Sequence, residues 1–183
     1  EDGLAIIKEI QKKTTWNLKL CVPFNKKINY LNKILCNSNN IQLIPFNTIS
    51  FEGFAKLKMF LYNHNLSCPR TQNVIVAAIY LGICLKYEKI YLYGVEHSWL
   101  KSLSVNKENK VCLINPHFFD KEKVSIKTWE EIQGKDARLC DVLRMYANMF
   151  ESYFILKEFG EKKKIQIFNK TKDSYIDAFI KEY

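Results

Sequence analysis

Segments with helical spacing of apolar residues alternate with short apolar runs along most of this chain, and that alternation constrains the fold more than any other feature. Leu4, Ala5, Ile7 and Ile10 share one helical face. Residues 18–22 form a strand-like run stopped by Pro23, and Ile28, Leu31, Ile34 and Leu35 repeat at helical spacing up to Asn37-Ser38-Asn39-Asn40. A second strand is expected at 41–46, interrupted by Pro45. A third helix is expected at 51–63, with Phe51, Phe54, Leu57, Phe60 and Leu61 on one face. Residues 74–85 are apolar nearly all round, which predicts a helix buried on several sides. Lys89-Ile90-Tyr91-Leu92-Tyr93 is the most strand-like stretch and closes at Gly94. A polar loop or hairpin at 95–110 then leads to a short strand at 111–114. A short helix at 128–132, a long one at 136–161, a strand at 164–168 and a closing helix at 174–180 complete the pattern. Such alternation predicts a Rossmann-like α/β fold, a mostly parallel sheet flanked by helices. No repeat and no linker divides the 183 residues, which read as a single domain.

At 48% hydrophobic and 14% aromatic the chain can bury a core without metal or disulfide staples. Its longest apolar run, 74–85, falls short of the roughly 20 residues of a membrane span. Glu1, Asp2, Lys8 and Glu9 at the start do not resemble a signal peptide. With six cysteines at 21, 36, 68, 84, 112 and 140 and no Cys-x-x-Cys pair, reduced thiols and a cytoplasmic setting are expected, with no zinc site. The net charge of +9 comes almost wholly from lysine, whereas surfaces that read nucleic acid favour arginine. The charge therefore predicts no nucleic-acid partner. It suits an anionic small molecule, or peripheral contact with the inner membrane surface. No Gly-rich phosphate loop occurs.

In parallel α/β sheets ligands sit beyond the carboxyl ends of the strands. That rule selects Gly94-Val95-Glu96-His97-Ser98-Trp99 and Asn169-Lys170-Thr171-Lys172-Asp173-Ser174, expected to be neighbours if their strands are. Gly94 permits close backbone approach, Glu96 could hold a sugar hydroxyl, and His97 could exchange protons near neutral pH. The bland alternative is ordinary loop polarity with Trp99 as a core plug. His117, within Asn115-Pro116-His117-Phe118-Phe119-Asp120, is a candidate general acid or base, and equally a turn residue anchored by its aromatic neighbours. His64 stands at a helix end, where it favours the helix dipole. Asn73 reads as the cap of the apolar helix, and Ser174 or Asp173 as the cap of the closing one. Both helix starts could also receive a phosphate.

Residues 73–99, from Asn73-Val74-Ile75 through Lys89-Ile90-Tyr91-Leu92-Tyr93-Gly94-Val95-Glu96, resemble the "apolar helix, K-E-I-Y-L-x-G-[IV]-D" core of bacterial family 42 sialyltransferases. They also resemble the broader 6-hydroxymethylpterin diphosphokinase MptE-like family of capsule and surface-polysaccharide loci. Asn169–Phe179 is similar to the "N-x-[ST]-x-x-S-x-[IL]-x-x-F" ending of that group, and Phe118-Phe119-Asp120 after His117 to its His-aromatic loop. The resemblance extends over nearly the whole chain. It implies that Gly94, Glu96 and Asn73 contact the nucleotide or sugar, that Ser174 and Asn169 lie near the nucleotide, and that His117 is the catalytic base. Ser98 falls where those enzymes place a Tyr that supports the leaving phosphate. Glu96 replaces the family's Asp with a longer arm. The family's opening Gly-Asn-Gly-Pro-Ser turn does not occur in this sequence. The chain thus looks like the C-terminal portion of a longer protein, with a sheet incomplete relative to the family fold.

The resemblance leads to a metal-independent glycosyltransferase of surface-polysaccharide synthesis, joining a CMP- or UDP-linked sugar to a glycan hydroxyl. The first alternative is Mg²⁺-dependent pyrophosphoryl transfer, for which Glu96 and Asp120 are the plausible carboxylate pair. The second is a non-catalytic partner-binding domain that has lost the donor site. Apolar faces on such a domain serve equally as core or as homo-oligomer interface.

Overall fold

The computed structural model describes residues 2–25, 27–114 and 126–183. It is mixed α/β with parallel strand pairing, as the alternation predicts. Its backbone separates into two compact units, Glu1–Cys68 and Pro69–Tyr183, although no linker-like composition marks the boundary in the sequence. No helix among the described residues is long and apolar enough to cross a membrane.

The first unit runs α1 (Asp2–Lys13), β1 (Leu18–Pro23), α2 (Ile28–Leu35), β2 (Ile41–Phe46) and α3 (Ala55–Asn63). β1 and β2 pair in parallel, in register from Leu18 opposite Ile41 to Pro23 opposite Phe46. Val22, Leu35, Ile41, Phe46, Met59 and Tyr62 are buried. Gln11 donates through Nε2 to the Ile34 carbonyl and to Ser38 Oγ, each at 3.0 Å, tying α1 to the end of α2. α3 starts at Ala55, four residues later than its apolar pattern suggests. Phe51 is held extended instead: its N–H donates to the Cys68 carbonyl and its own carbonyl accepts the Tyr62 hydroxyl at 2.7 Å. Those bonds withhold Phe51 from a helical ladder and leave Phe54 exposed.

The second unit runs α4 (Val74–Cys84), β3 (Lys89–Leu92), a 3-10 helix at Ser98–Ser102, β4 (Leu103–Val105), β5 (Val111–Ile114), β6 (Ile126–Thr128), α5 (Trp129–Gln133), α6 (Leu139–Lys162), β7 (Gln166–Asn169) and β8 (Ile180–Lys181). β3, β7 and β8 form a parallel sheet in that order, with Lys89 opposite Gln166 and Leu92 opposite Asn169. β4, β5 and β6 form a separate antiparallel sheet. α6 buries Val142, Tyr146, Met149, Tyr153, Leu156 and Gly160, spaced three and four apart along one face. α4 packs against it, with Tyr80 stacked on Phe159 at 6.0 Å.

The closing helix expected at 174–180 does not form. Ser174, Ile176 and Ala178 are buried while Tyr175 and Asp177 are not, a two-residue period belonging to extended chain. The backbone is committed elsewhere: Tyr175 N–H donates to the Glu96 carbonyl at 2.8 Å, and the segment ends in β8 against β7.

Candidate functional site

Asn73 starts the site. Its extended backbone (φ −146°) precedes α4, and its Oδ1 accepts the Val76 N–H at 3.0 Å, the ordinary geometry of a helix cap. That bond orients the carboxamide, so Nδ2 faces α6 and donates to the Tyr153 hydroxyl at 3.1 Å. The Tyr153 hydroxyl in turn lies 2.5 Å from His97 Nε2. Because that hydroxyl already accepts from Asn73 and stands 3.5 Å from its Oδ1, its own proton belongs on the hydrogen bond to His97 Nε2. The imidazole then carries its proton on Nδ1.

His97 reaches this position through a left-handed backbone (φ 52°, ψ 35°), a conformation His adopts more readily than most residues. It is 6% exposed, with its ring 4.4 Å from Trp99 and 5.5 Å from Tyr153 between centroids. Burial pushes its pKa down to about 4, against a smaller opposing pull from Glu96. Burial likewise raises Tyr153 to about 12, opposed by the Asn73 hydrogen bond. At neutral pH the Asn73–Tyr153–His97 network is therefore uncharged and holds its protons.

In front of this network lies a cleft of about 640 Å³ at the carboxyl end of β3. Gln72, Asn73, Ser98, Trp99, Trp129 and Tyr146 line it, with Ser102, Gln133 and the apolar Leu113, Ile132, Met145 and Met149. Trp99 stacks on Tyr146 at 6.2 Å, and Trp129 meets the same ring edge-on at 6.4 Å. Burial raises the Tyr146 pKa. Among the described residues no charged side chain lines this cleft. Such a wall suits a ring with an apolar face and hydroxyl or amide edges, a sugar or a nucleobase. The amide groups at the start of α4, beside Asn73, are of the kind that receive anions.

The sequence-derived candidates separate into three groups. Asn73 and Ser98 line the cleft, and His97 stands immediately behind it. Gly94 and Glu96 are exposed and do not line it. Gly94 has φ 66°, with open space where a side chain would go. Asn169 and Ser174 are buried and spend their side chains on the main chain. Asn169 donates to the Ile176 carbonyl at 3.2 Å and accepts Thr171 N–H at 3.0 Å. Ser174 donates to the Val95 carbonyl at 2.7 Å and accepts Ile176 N–H at 3.2 Å, so it staples two loops and caps no helix. These two loops are neighbours, as the paired strands require; Thr171 Oγ1 accepts the Val95 N–H at 3.1 Å. His117 and Asp120 lie outside the described residues.

Tyr153, Tyr146 and Trp129 do not stand out in the sequence as site residues. Tyr146 and Tyr153 lie two turns apart on α6, in a stripe that reads as plain core. Only a hydroxyl at a fully buried position distinguishes Tyr153 from Phe150 or Phe159, and burial of that hydroxyl is not visible in sequence. Among the described residues no group of three or more His, Cys, Asp or Glu is arranged to hold a metal ion.

No protein-family model matches the chain, and neither a curated protein nor a solved structure shows significant similarity to it.

Proposed function

We propose that the second unit handles a nucleotide sugar, as part of a cytoplasmic glycosyltransferase of bacterial surface-polysaccharide synthesis. One observation carries this reading: an uncharged, aromatic-walled cleft lies beyond β3, with Asn73 pinned at the start of α4 on its rim. In this reading Trp99 and Tyr146 carry the apolar face of a sugar or base. Asn73 and Ser98 bond its polar edge, and the first amides of α4 receive donor phosphate. The neutral His97 and Tyr153 hold Asn73 in place. The base that takes the acceptor proton is His117, a role that rests on the sequence resemblance alone.

Titration of the chain with CMP, UDP and GDP and their sugars, with and without Mg²⁺, tests the reading. Ligand at a hundred times its dissociation constant raises stability by about 2.7 kcal/mol, visible as a higher Tm. Trp99→Ala is expected to abolish that rise, and His117→Ala to abolish transfer while leaving binding intact. Absence of binding and turnover in both the chain and the full gene product refutes it.

A second reading has its own support. Among the described residues lining the cleft none titrates near neutral pH, which fits a binding module without acid–base chemistry. Nucleotide-sugar binding with no transfer by the full gene product, unaltered in His117→Ala, favours that module over the enzyme.

A further inference from the structure

The opposite end of the β3–β7–β8 sheet carries a second cavity, of about 590 Å³, lined by Lys86, Lys89, Lys163 and Lys164 with Glu88 and Gln166. It arises because two helix-to-strand corners are built alike and set side by side. α4 and α6 each close with paired bonds from the two residues beyond the helix cap, Leu85 and Lys163 respectively. Lys86 N–H donates to Ile83 and Tyr87 N–H to Gly82; Lys164 N–H donates to Glu161 and Ile165 N–H to Gly160. This closure needs a left-handed residue, usually glycine. Here both positions hold lysine, Lys86 at φ 61° and Lys164 at φ 60°. Parallel pairing of β3 with β7, continued by Gln166 N–H to the Glu88 carbonyl, then brings the two corners together.

Capping does not account for these lysines. Backbone N–H groups already bond the carbonyls of Leu81, Gly82 and Ile83 in α4 and of Phe159, Gly160 and Glu161 in α6, and among the described residues none of the four ammonium groups donates to a helix-end carbonyl. Nor are they in ion pairs: among the described residues no carboxylate lies within 4.0 Å of any of the four, and Lys163 meets only the face of the Phe159 ring, 5.9 Å from its centroid. Lys162, on the last turn of α6, is by contrast tied to Glu158 at 2.8 Å. Four ammonium groups against the single carboxylate of Glu88 leave the opening with an excess of positive charge that an anion would neutralise. Two of them occupy backbone positions that an L side chain disfavours, a pattern found where function overrides local preference.

We propose that this basic notch binds clustered phosphate groups, as a free oligophosphate or as anionic lipid headgroups. It is separate from the cleft beyond β3 and does not depend on the transferase reading.

The test uses the full chain, tripolyphosphate as the soluble probe, and vesicles of equal phosphatidylglycerol and phosphatidylcholine as the surface probe. The variant is Lys86→Gly with Lys164→Gly, which removes two charges and supplies the residue the backbone favours. A melting curve at or above that of the parent shows that the variant is folded. Lys27→Gln with Lys33→Gln, in the first unit, removes the same charge elsewhere. Binding at low salt is expected to weaken on the order of tenfold in the notch variant and to stay unchanged in the control, with added salt abolishing both. Loss for tripolyphosphate identifies free phosphate as the ligand; loss for vesicles alone identifies headgroups. Equal weakening in notch variant and control, no weakening in the notch variant, or no binding of either probe by the parent overturns the proposal.

Discussion

Acidification is expected to destabilise the second unit well before its carboxylates protonate, through one imidazole. His97 is ordinarily a group of pKa 6.5, and burial holds it at about 4 in the folded chain. Between those values the unfolded chain binds a proton that the folded chain refuses, so stability falls as pH drops through this window. The full difference, at about 1.4 kcal/mol per pH unit, is roughly 3 kcal/mol, and roughly 2 kcal/mol of it is lost between pH 7 and pH 5. Glu131 and Asp136 are also held below their ordinary values of 4.5 and 3.8, by the Thr128 backbone and the Lys110 ammonium respectively. Their contributions are lost only at more acid pH, which leaves the interval from 7 to 5 to His97. Amide exchange of the buried face of α6, followed by mass spectrometry across pH, confines the measurement to this unit. His97→Gln keeps an acceptor for Tyr153 but cannot titrate, and is expected to flatten the profile over that interval. A variant profile as steep as the parent's, or imidazole resonances of His97 that titrate near 6.5, refutes the argument.

Tyr153→Phe keeps the ring and removes the hydroxyl, leaving His97 Nε2 and one Asn73 N–H with only the long 3.5 Å contact between them; a loss of about 1 kcal/mol is expected in chemical denaturation. Lys86→Gly alone relieves the left-handed lysine and is expected to stabilise by about 1 kcal/mol, read as a raised Tm. Gly160→Ala brings a methyl to 3.3 Å from both the Ile165 carbonyl oxygen and Ile167 Cδ1. The backbone there is fixed by helix closure, so a net loss of about 1 kcal/mol is expected despite the better helix former. Trp99→Ala, at a site 43% exposed, is expected to change stability little while weakening any ring-bearing ligand of the cleft.

How much of this was legible in the sequence depends on the range of the forces involved. The helices and parallel strands follow from local apolar spacing, and so does Asn73 as a cap, because a cap is decided within four residues. The terminal segment misleads because Ile176, Phe179 and Ile180 match helical spacing, whereas bonds from Thr171, Ser174 and Tyr175 to Val95 and Glu96 hold it extended. Those partners are some eighty positions away in sequence. The site divides the same way. Polar residues after β3 lead to His97 and Ser98, but nothing local separates Asn169 and Ser174, which serve the main chain, from residues free to meet a ligand. Nor does composition show that the cleft wall is drawn from α5 and α6, which contribute Trp129 and Tyr146 from another part of the chain.

One register joins the two ends of the second unit. Lys89 opposite Gln166 sets the corners of the basic notch side by side, and Leu92 opposite Asn169 brings together the loops that seat His97 behind the cleft. The two ends differ in chemistry because different segments enter and leave the same pair of strands. At the amino edge the helix closures are made by backbone N–H groups, and four lysines and Glu88 line the notch beside them. At the carboxyl edge Asn169, Thr171 and Ser174 bond the main chain while Asn73, Tyr153 and His97 bond one another, and the cleft is faced by aromatic surface with a few neutral donors. A slip of one residue between β3 and β7 would put Ile90 and Ile167, now paired on one face, on opposite faces and separate both sets of partners at once. Gly82 lets α4 approach β3 closely: a methyl there comes within 2.9 Å of Ile90 Cδ1, so the Ile90 side chain would have to shift to admit it.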